Sequence, residues 1–131
     1  MGKESVRIVN RTRGTVLGGD IRLAASWFAR LKGFLGAPEP RNGEGLLLVP
    51  CNAIHTYGMS FPLDVLFLSG EGRVVRTVQD LPPGRRTNRV IEGVYVLELP
   101  VGTIARTSTE VGDEVTWAPA PVRKLNGVAA D

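Results

Sequence analysis

Residues 63–78 read LDVLFLSGEGRVVRTV, two runs rich in branched and aromatic side chains joined by the glycine-bearing connector SGEGR. The first run is short and almost wholly apolar, and the second, from 74 to 78, is again dominated by valine and threonine. Both fit strands better than helices, and the connector has the composition of a hairpin turn. The pair predicts an antiparallel hairpin, and a chain organised around it is expected to be a β protein.

Upstream, LLLV at 46–49 is a continuous apolar tetrad, read as a strand covered on both sides, which Pro50 ends. Residues 6–10 and 15–18 are short β-branched runs separated by RTRG and predict an opening hairpin. Asp20 is a fair N-cap. Ala24, Trp27, Phe28 and Leu31 follow at the three-and-four spacing of a half-buried helix, which predicts a helix over 21–32 stopped by Gly33 and Gly36. GAPEPRNGEG then reads as a loop, as does DLPPGRRTNR at 80–89. Downstream, 94–99 is strand-forming, 101–109 is a short helix or turn, and GDEV returns the chain to a strand through Trp117. Residues 118–131, rich in alanine and proline, read as a flexible tail after one domain at 1–117. Six to eight short strands with one good helix give a β-rich α+β class, an antiparallel β sandwich or small barrel.

The 131 residues suffice for one hydrophobic core, and 43% apolar with 22% charged residues is ordinary for globular chains. A net charge of +3 is far short of a dedicated nucleic-acid binder. Cys51 is the lone cysteine, so no intrachain disulfide forms. The apolar runs are too short to span a bilayer, and MGKESVRIVNRTRG has no apolar segment of the secretory kind. A cytoplasmic protein that binds neither nucleic acid nor membrane is expected.

GEGLLLVPC at 43–51 and IHTYGMSFPLDVLFLSGEGRVV at 54–75 resemble the domain of unknown function 192 family. The resemblance extends upstream to LKGFLG and downstream to VYVLELPVGTIA and VGDEV, covering roughly residues 20–117 in the family's order. It implies a compact, mostly β domain without an established activity. One branch of that family carries Ile-His-Thr-Phe-Gly-Met where this chain has IHTYGM, and another has Trp-Met-Lys-Asn-Thr there. His55 is therefore not a family-wide requirement. Lys32 and Phe34 stand where the family usually has arginine and leucine.

Chemistry-bearing residues concentrate at 51–64. Cys51, His55 and Met59, spaced by four, are the residue types of a soft copper site, but such sites use a second histidine that this chain lacks. The favoured reading has Cys51 and Met59 filling apolar space and His55 fixing a loop, with no metal and no cofactor. Cys51 as a nucleophile with His55 as base and Asp64 as orienter is the enzymatic alternative, although no oxyanion-type turn surrounds the cysteine. Asp64, a carboxylate in an apolar strand, is read as capping backbone amides at a bulge or edge in preference to lying in a pocket, with Arg73, Arg85 or Arg86 as a partner, and Glu98 in VLELP is read the same way. Arg85, Arg86 and Arg89 form a basic loop suited to an anion. The candidate binding set is thus Cys51, His55, Thr56, Met59, Asp64, Arg85, Arg86 and Arg89, with the HTYGM and basic loops as one rim. A small anionic ligand or a protein partner is the expected guest.

Overall fold

In the computed structural model, which describes residues 5–120 except the side chains of Trp27, Phe28 and Leu31, the predicted hairpin is present. Strand β4 (Leu63–Leu68), of which every residue is buried, pairs antiparallel with β5 (Val74–Leu81). Burial on both faces explains its unbroken apolar run: Leu66 and Leu68 enter one core, Leu63, Val65 and Phe67 the other. Full burial of each such side chain contributes about 1.5–3 kcal/mol.

The remaining strands are β1 (Ser5–Asn10), β2 (Thr15–Ala24), β3 (Glu44–Leu48), β6 (Tyr95–Leu99) and β7 (Val115–Pro119). They form one seven-stranded sheet in the order β5-β4-β6-β3-β2-β1-β7. All ladders are antiparallel except β2–β3, so the sheet is mixed where an antiparallel one was expected. The parallel pair follows from the crossover between these strands, which holds the helix α1 (Trp27–Lys32). The sheet curls until the start of β5 reaches the start of β7. The Val74 amide donates to the Asp113 carbonyl (2.8 Å), Gly112 to Val74 (2.8 Å) and Val115 to Gly72 (2.9 Å). The architecture is a half-barrel made from one sheet.

The concave face buries Ile8, Leu17, Ile21, Leu47, Leu97 and Leu99. Helix α2 (Thr103–Thr107) adds Ile104 to them, placed by Asp64, whose Oδ2 accepts from the Gly102 (3.1 Å) and Ile104 (2.9 Å) amides while Oδ1 accepts from Asp80 (2.9 Å). Asp64 thus caps backbone amides, and among the described residues no arginine pairs with it. The convex face carries the second core, with Ala24, Phe34, Leu46, Leu48, Ile54, Phe61 and Val96. Its cover is the region of α1, the 33–37 turn and the 49–62 segment, with Phe34 edge-on to Phe61 at 6.1 Å.

Two expectations need correction. Residues 21–24 extend β2 instead of opening the helix, because they pair with both β1 (Val6↔Ile21) and β3 (Ile21↔Gly45, Leu23↔Leu47). Ser26, not Asp20, caps α1, its Oγ accepting from the Ala29 amide at 3.1 Å. Ala118 and Pro119, read as tail, continue β7 against β1, with Val6 opposite Pro119 and Asn10 opposite Val115. Residues 121–131 of the expected tail lie outside the described residues.

Candidate functional site

Past β3 the chain cannot continue its ladder through Pro50, and it crosses the convex face as an irregular segment. It runs beside 84–94: the Cys51 amide donates to Val94 (2.8 Å), Val90 to Asn52 (2.9 Å), Thr87 to Ile54 (2.9 Å) and Thr56 to Arg85 (2.7 Å). Thr56 is fully buried, and its hydroxyl donates to the Pro82 carbonyl (2.7 Å) while accepting from the Arg85 amide (2.9 Å). It fastens the HTYGM tract to the basic loop. The two loops therefore adjoin through their backbones, with His55 bridged to Arg86.

On the other side this segment faces the end of α1. Between them lies a cleft of about 250 Å³, walled by Phe34, Leu35, Leu48, Ile54 and Met59, with Arg30, Lys32, His55 and Tyr57 also lining it. Its lips touch where Leu35 overhangs Gly58; a Cβ on Gly58 would come within 2.9 Å of Leu35 Cδ1, and Gly58 has φ 81°.

Glu98 lies in this cleft, on the central strand β6 opposite Val65 and Leu46, only 3% exposed. Its Oε1 has no hydrogen-bond partner among the described residues. This corrects the expected capping or ion-paired role. Two of the groups that line the same cleft donate elsewhere. The Arg30 guanidinium donates to the Ala25 carbonyl (2.6 Å), and the Cys51 thiol donates to Ala53 (3.2 Å). Burial pushes the Glu98 carboxyl up to about 8, so it is protonated at neutral pH. Burial also raises the Cys51 thiol, reinforced by Glu98 and opposed by the Ala53 hydrogen bond.

His55 is exposed, stacked on Tyr57 with ring centroids 5.3 Å apart, and its Nδ1 accepts from the Tyr57 amide (3.2 Å), which puts the proton of the neutral ring on Nε2. No hydrogen bond joins it to Cys51 among the described residues, and Asp64 lies on the concave face. A Cys–His–Asp arrangement is therefore not assembled. No three His, Cys, Asp or Glu side chains converge on a common point among the described residues. Arg85, Arg86 and Arg89 are exposed and do not line the cleft; Arg30 and Lys32 supply its cations.

The cleft thus unites Cys51, His55 and Met59 with Glu98, Arg30 and Lys32, while Thr56 and Asp64 hold the framework. Glu98 carried a signal in the sequence, as a lone acid in an apolar strand. Arg30 carried none, and Lys32 only its place in the LKGFLG tract.

The family profile of DUF192, described as "Uncharacterized ACR", matches residues 8–117. A UPF0127 protein of Thermococcus sibiricus is 29% identical, with 92% of this chain and 86% of that protein aligned. A UPF0127 protein of Thermococcus gammatolerans is 30% identical over 84% of this chain and 74% of its own length. A crystal structure of a protein of unknown function from Novosphingobium aromaticivorans superposes with a TM-score of 0.73 at 25% identity, covering 86% of this chain and 84% of that one. Since the match spans the sheet from β1 to β7 together with the cleft, the chain belongs to DUF192, a family of uncharacterised proteins.

Proposed function

We propose that this protein is a small-molecule binding module whose site is the cleft between the 30–35 region and the HTYGM tract. The supporting observation is the Glu98 carboxyl, buried in an apolar cleft with an oxygen left unpartnered among the described residues. An unmatched buried polar group costs about 1–3 kcal/mol, so its retention favours a role that a guest completes. The half-buried, uncoupled Cys51 thiol argues against a nucleophile, since burial disfavours the thiolate. The exposed Arg85, Arg86 and Arg89 support a second contact beside the cleft, with an anionic group of the guest or of a protein partner. Among the described residues no helix is long and apolar enough to cross a membrane, and a cytoplasmic setting goes with this reading.

The test is a fragment screen on isotope-labelled protein, comparing wild type with Ala53→Trp, which fills the cleft from an exposed loop position. Binding fragments should shift amide signals of residues 33–35, 51–59 and 98, and Ala53→Trp should abolish those shifts. Fragments that shift other surfaces only, or that bind Ala53→Trp equally well, would refute the assignment.

A further inference from the structure

Glu98 defines the chemistry of the guest, and this inference rests on the cleft being a binding site. A carboxyl enclosed by Leu46, Val65 and the cleft's apolar walls offers one hydroxyl donor. Among the described residues the Glu98 Oε1 has no hydrogen-bond partner, so no side chain of the described cleft takes that hydroxyl. A cationic guest meets Arg30 and Lys32 at the site. A carboxylate placed at Glu98 would lose its hydration, since neither Arg30 nor Lys32 pairs with Glu98 among the described residues to replace it. What remains is a neutral partner. We propose that the cleft selects small molecules whose end buried against Glu98 is uncharged and presents a hydrogen-bond acceptor, a ring nitrogen or a carbonyl oxygen, to the Glu98 carboxyl.

The charged and titratable groups around Glu98 are Arg30, Lys32, Cys51, His55 and Tyr57 in the cleft, and Arg76, which stacks on the adjacent Phe67 at 5.7 Å. All are retained in Glu98→Gln, whose amide still donates but does not ionise.

The experiment compares quinoline, naphthalene and N-methylquinolinium, which share one shape and differ in one ring position, by NMR titration of wild type, Glu98→Gln and Glu98→Leu. In wild type at about pH 6, quinoline should bind about tenfold tighter than naphthalene, the worth of one desolvated hydrogen bond, and the cation should bind weakest. At about pH 9.5 that preference should vanish in wild type and persist in Glu98→Gln, because only the ionised carboxylate loses its donor. Glu98→Leu should bind both neutral rings alike. Equal binding of the neutral rings to wild type at the lower pH, or tightest binding of the cation, would overturn the inference while leaving the cleft a binding site. Binding of none of the three would overturn both. Should Glu98→Leu fail to fold, the paired pH titrations of wild type and Glu98→Gln still decide.

Discussion

Two buried carboxyls on adjacent strands meet opposite fates. Asp64 accepts three backbone amides from β5 and the start of α2. Asparagine keeps the shape but turns an NH₂ towards at least one of these amides. Asp64→Asn should therefore cost about 1–3 kcal/mol in chemical denaturation, with the slope unchanged. An unchanged midpoint would show that the carboxylate does not anchor α2. Glu98 has no such donors, and its folded-state value of about 8 lies above the ordinary 4.5. Between those values the folded chain holds a proton that the unfolded chain has released, so stability is full below the lower one, falls as pH rises, and levels off above about 8. The loss is at most about 5 kcal/mol. Glu98→Gln should match wild type near pH 5 and exceed it near pH 9 in thermal denaturation. Parallel pH curves for the two proteins would exclude a protonated Glu98.

The turn between β4 and β5 does more than reverse the chain. Gly72 has φ 87°, and a Cβ there would collide with the Val115 carbonyl on the strand it closes against. Gly72→Ala should therefore destabilise by about 2 kcal/mol or more and speed amide exchange at Val74 and Val115, whereas an alanine at the open Gly84 turn should leave those amides protected. The hairpin was legible because its information is local: a β-rich run, a glycine turn, a second run. Residues 21–24 misled because IRLA satisfies a helical stripe and a strand equally, and pairing with β1 and β3, remote or later in sequence, decides the matter. The cleft was half legible for the same reason. Its HTYGM side is contiguous in sequence, but Glu98 joins it only because alternation along β6 turns that side chain to the convex face under α1.

At the scale of the molecule, closure is secured by a polar knot where β1 and β7 begin to diverge. Asp113 Oδ2 accepts from Asn10 Nδ2, Arg13 Nε and the Glu110 amide at 2.9–3.0 Å. Burial alone would raise this carboxyl, but those hydrogen bonds outweigh it and hold it below its ordinary value. Its contribution is therefore present above 3.8 and lost as pH falls through the lowered folded value. With Glu98 acting in the opposite sense, stability should peak in mildly acidic solution, and Asp113→Asn should flatten only the acid limb of a melting-temperature profile. A maximum above pH 8 would contradict the Glu98 assignment, and an acid limb unchanged in Asp113→Asn would contradict that of Asp113. The β1–β7 ladder also has a consequence for biosynthesis. β1 is flanked by β7, the last of the described strands, so on the ribosome β1 must wait with one edge bare until β7 emerges. A nascent chain that stops short of Trp117 stays exposed along that edge to whatever strand comes first.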